Sequence, residues 1–167
     1  TQEAHYFFLP LWNSTFSPQT EQLGVIDWFT LLLGVIGVVA LTIHGANWII
    51  FKTNSDLNQK LKNVVFKLNF VLLVLVIISL LIWHIIDPQP FHNFIKHPWL
   101  WIFPIITFSG LFGLFKVKSF QKHGLGFLFS SLFLFGGLTS TVASIFPKVL
   151  PSTNSVNPDL TIYNVAA

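Results

Sequence analysis

The sequence predicts an all-α polytopic membrane protein: four transmembrane helices that form part of a larger helical bundle. Three observations predict it. Charged residues make up 9% of the 167, against roughly 25% in a typical soluble domain. Hydrophobic residues make up 53%, and 19 residues are Phe. The apolar residues also gather in four long runs, which so few charges could not screen from water. The chain reads as a single membrane domain over residues 1–167, with spans at about 27–51, 64–86, 98–115 and 125–146.

The first span is the one around which the others are arranged. It opens with Asp27-Trp28 and closes with Trp48, Lys52 and Thr53, and its length of roughly 20 to 25 residues at about 1.5 Å each crosses a bilayer. At about 100° per residue, Asp27, Thr30, Gly34, Gly37, Leu41, His44, Gly45 and Trp48 share one stripe. Phe29, Leu32, Ile36, Val39, Ile43 and Ile50 lie opposite, with Asn47 a misfit. Small and polar residues mark the face of a membrane helix that packs on protein. The expectation is that this stripe meets another helix.

The second span has Ser79 as the one polar group of its middle, Phe70 to Ile82. With no declared stripe, much of it is expected to face lipid. The third, Pro98 to Phe115, is marginal in length, about 27 Å. Pro104 removes a helical N–H and crowds the preceding turn, which predicts a kink. In the fourth, Ser130, Gly137, Ser140, Thr141 and Ser144 form a small hydroxyl stripe expected on protein. Leu128, Phe135, Val142 and Phe146 form the bulky, lipid-facing side. Before the first span lies a polar and aromatic lead-in that Pro10 and Pro18 keep from being one helix. After the fourth comes a Pro/Asn/Ser-rich extracytoplasmic loop. Asn13-Ser14-Thr15 matches a glycosylation acceptor, a pattern too short to carry weight.

Lysine placement sets the orientation. Lys52, Lys60, Lys62 and Lys67 flank the first connection, and Lys116, Lys118 and Lys122 the third; the other side has Lys96 and Lys148. The positive-inside rule places the lysine-rich loops in the cytoplasm and both termini outside. Trp12, Trp28, Trp83, Trp99 and Trp101 then form an aromatic belt at the outer interface. The net charge of +3 rests on scattered lysines with no Arg, which excludes a nucleic-acid footprint. With no Cys, disulfides, thiolate metal sites and a cysteine nucleophile are excluded. No initiator Met and no leader pattern are present, and the chain reads as a piece of something longer.

Few residues offer chemistry. His44, about 10 Å in from the cytoplasmic end, could relay protons or ligate haem iron. The preferred reading is a neutral imidazole hydrogen-bonded to a neighbouring helix. His84, the other His inside a span, differs from it in depth by roughly 15 to 20 Å, so the two cannot share one iron. His84, Asp87, His92 and His97 cluster in one outer loop, but their spacing matches no zinc pattern and an ordinary interfacial loop is preferred. Asp27 could open a proton entrance; helix capping is the better reading. There is no phosphate loop, no carboxylate pair and no nucleophile beside a base. No catalytic, cofactor-binding or metal-binding residue is assigned.

Several segments in order then carry a resemblance. They are Ser17-Pro18 followed by Gly24 to Gly34 (G-V-I-D-W-F-T-L-L-L-G), His44 to Ala46 with Lys52-Thr53 after it, Phe129 to Ser131, Phe146 to Ser152 and Leu160 to Asn164. Together they resemble subunit II of the cytochrome bd-type quinol oxidases, including the cyanide-insensitive branch, over nearly the whole chain. The resemblance implies that these spans are that subunit's fourth to seventh helices, with the first three and the last missing. The ending Asn164-Val165-Ala166-Ala167 departs from the N-A-A-S-S of relatives. It further implies a haem-free partner in a respiratory quinol:O2 oxidoreductase of the bacterial inner membrane. The haems b and d and the quinol-oxidising loop belong to subunit I, and subunit II supports assembly and proton access. A quinone is bound in some complexes, and the acidic residues of the proton route lie in the early helices, so no catalytic residue transfers to this chain. The partners implied are subunit I, quinol and the lipid bilayer. The alternative from another class is a transporter or channel subunit with His44 lining a path, which needs broken helices or polar groups meeting at midplane.

Overall fold

The computed structural model describes residues 11–12, 15–18, 26–53, 57–87, 89–116, 124–150 and 160–162. Four helices are long and apolar enough to cross a membrane. α1 is Trp28–Lys52, α2 Leu57–Ile86, α3 the short Gln89–Lys96, α4 Ile102–Lys116 and α5 Leu125–Ile145. A 3-10 turn, Pro98–Trp101, leads into α4. Lys148–Leu150 (β1) and Leu160–Thr161 (β2) pair antiparallel, with Lys148 opposite Thr161. The loop expected after the fourth span therefore closes, in part, as a two-stranded ribbon. Asn13-Ser14, Lys118, Lys122 and residues 151–159 lie outside the described residues.

The four long helices form a closed ring, each packing on two others: α1 on α2 and α5, α4 on α5 and α2. Short connections between successive spans make neighbours antiparallel. The shared core holds Ala40, Ile43 and Ile50 from α1, Val65 and Leu72 from α2, Leu111 and Leu114 from α4, and Phe133 from α5. Ile43, Leu72 and Leu111 are fully buried. A smaller cluster of Phe94, Leu100 and Ala143, backed by Phe103, seals the other end under α3. Large apolar residues such as Val38, Phe70, Leu81, Phe135 and Leu138 stay exposed on the outside, the surface a lipid environment covers.

α1 begins at a capping box: the Thr30 amide donates to Asp27 Oδ1 at 2.8 Å, and the Asp27 amide donates to Thr30 Oγ1 at 2.9 Å. Asp27 is thus the helix cap, as preferred from the sequence. The face of α1 differs from the expectation. Phe29, Ala40, Ile43, Asn47 and Ile50 are buried. A Cβ placed on Gly34, Gly37 or Gly45, by contrast, would meet nothing within 4 Å, and Leu41 and Trp48 are exposed. Residues 29, 36, 40, 43, 47 and 50 are spaced by sevens split into four and three, the seam of a left-handed helix pair. On α2 the same spacing appears at 58, 65, 69, 72, 76 and 79, of which all but Val76 are buried. Ile43 and Leu72 are both fully buried in the shared core along this seam, and the small-residue stripe is left outside it. Asn47, a misfit on a 100° plot, sits on the seam, its Nδ2 donating to the Ile43 carbonyl at 3.0 Å.

α2 starts seven residues before the expected span because Asn58, Leu61 and Val65 extend its packed side, while Lys60 and Lys67 are exposed. It also has a protein-facing stripe after all. Pro104 falls in the first turn of α4, where amides have no helical acceptor and Pro is tolerated. The disruption expected there takes the form of the 3-10 entry at Pro98–Trp101 rather than a mid-span bend. On α5 the bulky side is exposed as expected: Leu128, Phe135, Val142 and Phe146 are 51%, 59%, 66% and 39% accessible. Ser130 and Ser144 are buried, whereas Thr141 is exposed. The close approach belongs to Gly136, not Gly137: a Cβ on Gly136 would lie 2.6 Å from the Thr107 amide nitrogen, and one on Gly137 meets only Thr107 Cγ2 at 3.8 Å.

Candidate functional site

His44 sits on α1 about 12 Å from Lys52 along the helix axis, and the ring closure of the bundle brings α5 beside it. Its Nδ1 lies 2.9 Å from Ser130 Oγ. The same hydroxyl donates to the Phe127 carbonyl at 2.9 Å. With its one proton given to that carbonyl, Ser130 Oγ is placed to accept a hydrogen bond from Nδ1. The imidazole also lies 4.7 Å from the Phe127 ring, tilted by 32°. His44 is half-buried and hydrogen-bonded to a neighbouring helix.

Below His44 the α1–α5 contact becomes aromatic. The Phe127 ring lies 4.9 Å from Trp48 and 6.3 Å from Phe51, nearly parallel to the latter. Lys52 Nζ stands 4.9 Å from the Trp48 ring centre and 5.3 Å from that of Phe51. Sequence reasoning misses Phe127. Its signal is the F-x-F-S-S run, in which Phe127 and Ser130 lie one turn apart. Replacing Ser130 by Ala removes the acceptor for a half-buried donor and is expected to cost about 1 kcal/mol. Thermal unfolding of the full subunit in detergent checks this, with Ser130→Thr, which keeps the hydroxyl, as the control near wild type.

His44 and His84 do not fit one haem as its two axial ligands. Axial ligands must meet at one level of the membrane. His84 lies in the last turn of α2, edge-on to Phe91 at 5.1 Å, at the opposite end from the His44 half of α1. The chain has no Met and no Cys to serve instead. Of the outer group, His92 falls within α3 and His97 just before the 3-10 turn. Among the described residues no three of His, Cys, Asp or Glu gather closely enough to hold a metal ion. The segment expected as an ordinary loop is instead the amphipathic helix α3, with Phe94 buried.

Sequence reasoning also misses three asparagines that close helix ends. Asn58 of α2 donates from Nδ2 to the Ile50 carbonyl at 3.4 Å and to the Thr53 carbonyl, and accepts from Thr53 Oγ1 at 2.8 Å. Asn69 donates to the Leu114 carbonyl near the end of α4 at 3.4 Å. Asn93 of α3 donates to the carbonyls of Ser144, at 2.9 Å, and Phe146. Helix C-termini leave carbonyls without helical partners, and a lipid surrounding supplies none. Here α1 and α4 each receive an amide from α2, and α5 receives one from α3. A signal is present, an Asn at 58 and at 69 on the heptad seam of α2, but polar residues near a span's edge are ordinary and name no partner.

With this geometry in hand, comparison with known proteins is informative. The family model for cytochrome bd terminal oxidase subunit II matches residues 8–167. A curated relative from Haemophilus influenzae, described as a probable cytochrome oxidase subunit 2, is 28% identical over 162 residues. That match covers 81% of this chain and 43% of the relative, so the chain spans less than half of the relative's length. No solved structure matches.

Proposed function

The chain belongs to the family of cytochrome bd terminal oxidase subunit II, and from that premise we propose that it serves as a haem-free, multi-pass part of a quinol:O2 oxidoreductase. In this reading the haems b and d reside in the partner subunit I, quinol is oxidised there, and the complex lies in the bacterial inner membrane with both ends of this segment outside. This chain supplies assembly contacts and shapes proton access. The observation that carries the reading is the family match over nearly the whole chain. Two structural features support it. Asparagines of α2 and α3 close the ends of α1, α4 and α5, and His44 ties α1 to α5, so the described polar groups hold helices to one another. The Gly34 and Gly37 face of α1 is left open by the four helices, available to further helices of the subunit or to its partner. The reading of a transporter or channel is not favoured, since among the described residues no polar groups from several helices meet at midplane.

Purification through a tag on the full-length subunit tests the proposal. The purified material should contain a second, larger polypeptide and show reduced b- and d-type haem bands. Gly37→Leu should lower recovery of that polypeptide while leaving the tagged chain in the membrane. A stable, haem-free assembly purified from native membranes would overturn the reading.

A further inference from the structure

We propose that Lys52, Trp48 and Phe51 form a binding site for the phosphate of an anionic phospholipid at the lysine-bearing end of the bundle. The ammonium of Lys52 is held against two ring faces, at 4.9 and 5.3 Å. A cation–π contact draws on the charge and leaves part of the ammonium's N–H set for an oxyanion. The rings themselves are anchored from behind by Phe127 of α5. Gly124, at the head of α5, admits Phe51 so closely that a Cβ there would stand 3.2 Å from Cε2. The outer sides of Trp48 and Phe51 remain 44% and 43% accessible.

From the cation back towards the middle of the span the same stripe continues through Trp48, Gly45 and Leu41, at spacings of four and three. Gly45 has nothing within 4 Å and Leu41 is 61% accessible. That leaves an open apolar strip about two turns in from Lys52, space an acyl chain can fill. Charge favours the same occupant. In sequence this end carries Lys52, Lys60, Lys62, Lys67, Lys116, Lys118 and Lys122 against the single carboxylate of Asp56. Asp56 lies outside the described residues, and among those described no carboxylate pairs with Lys52. An anionic headgroup over an exposed, lipid-level aromatic shelf satisfies both the charge and the strip. The inference depends on the membrane-spanning fold and not on the oxidase reading.

The test uses the full-length subunit in its purified complex, reconstituted into nanodiscs of phosphatidylcholine mixed with phosphatidylglycerol. Lipid retained after detergent extraction is counted by mass spectrometry. Wild type should retain phosphatidylglycerol over phosphatidylcholine. Lys52→Gln should lower that enrichment about five-fold, Lys52→Arg should restore most of it, and Gly45→Leu should reduce it with the lysine intact. Lys60→Gln, away from the shelf, should match wild type. The proposal is overturned if wild type shows no preference, if Lys60→Gln loses as much as Lys52→Gln, or if free inorganic phosphate displaces the lipid completely. Lack of any preference would point to an acidic protein segment as the occupant instead. Unchanged composition of the complex across the variants separates failure of this site from failure of the oxidase reading.

Discussion

Gly136→Val is expected to destabilise the α4–α5 pair by on the order of 3 kcal/mol, with Gly110→Val at least as costly. A Cβ on Gly110 would fall 2.5 Å from the Phe133 amide nitrogen and 2.7 Å from the Phe129 carbonyl oxygen. One on Gly136 would fall 2.6 Å from the Thr107 nitrogen and 3.0 Å from the Phe103 carbonyl oxygen. These are backbone atoms of the facing helix, so no rotamer change relieves the clash. The two helices must move apart, and every dispersion contact along their shared face weakens with the gap. Gly113→Val is a milder case, because its neighbour is the Phe129 ring, which can turn. Gly34→Ala and Gly37→Ala, by contrast, should leave the stability of the subunit within about 0.5 kcal/mol of wild type. Thermal unfolding of the purified subunit, followed by tryptophan fluorescence, ranks the five variants. Equal effects at Gly136 and Gly37 would contradict the packing described.

The second large effect is expected at Asn58. Asn58→Ala removes an amide that serves two carbonyls at the end of α1 and an acceptor that serves Thr53. Asn58 is 7% accessible, so the carbonyl of Ile50 is left with little water to replace the lost donor. The expected cost is about 2 kcal/mol, larger than at Asn69, whose Oδ1 has no partner among the described residues. Removing Asn69 loses one weak bond but also removes an unsatisfied oxygen. Hydrogen exchange resolves the two: Asn58→Ala should loosen amides in the last turn of α1 before any global unfolding. Unaltered exchange there would show that the cap contributes nothing.

How much of this is legible in the sequence follows from what each signal depends on. The number and extent of the long helices rest on apolar length alone, and the structure keeps all four within a few residues, apart from the early start of α2. The lipid-facing side of α5 is legible because Leu128, Phe135 and Val142 leave no ambiguity about where bulk lies. The buried face of α1 is not. Its stripe of Gly34, Gly37 and Gly45 is a strong packing signal, but it says only that a backbone can approach, not that one of these four helices does. The seam actually used, Ala40-Ile43-Asn47-Ile50, has a period of 3.5 and drifts across a plot drawn at 3.6. α3 is hidden by Pro88 and Pro90, which favour a loop in a sequence pattern, although a Pro in the first turn suits a helix. Of the candidate site, His44 is found from its depth, and its partner Ser130 lies on a stripe expected to face protein. Their meeting, and the part played by Phe127, require knowing that α5 closes the ring against α1.

The central claim, that this chain lends shape and no redox centre to its complex, is tested most directly by haem analysis of the separated subunits. The purified complex would be dissociated in denaturant-free detergent, and haem measured on the full-length form of this subunit alone. The expected result is none with this subunit and all of it with the partner, unchanged by His44→Ala. Haem retained in stoichiometric amount by this subunit, and lost in His44→Ala, would contradict the account.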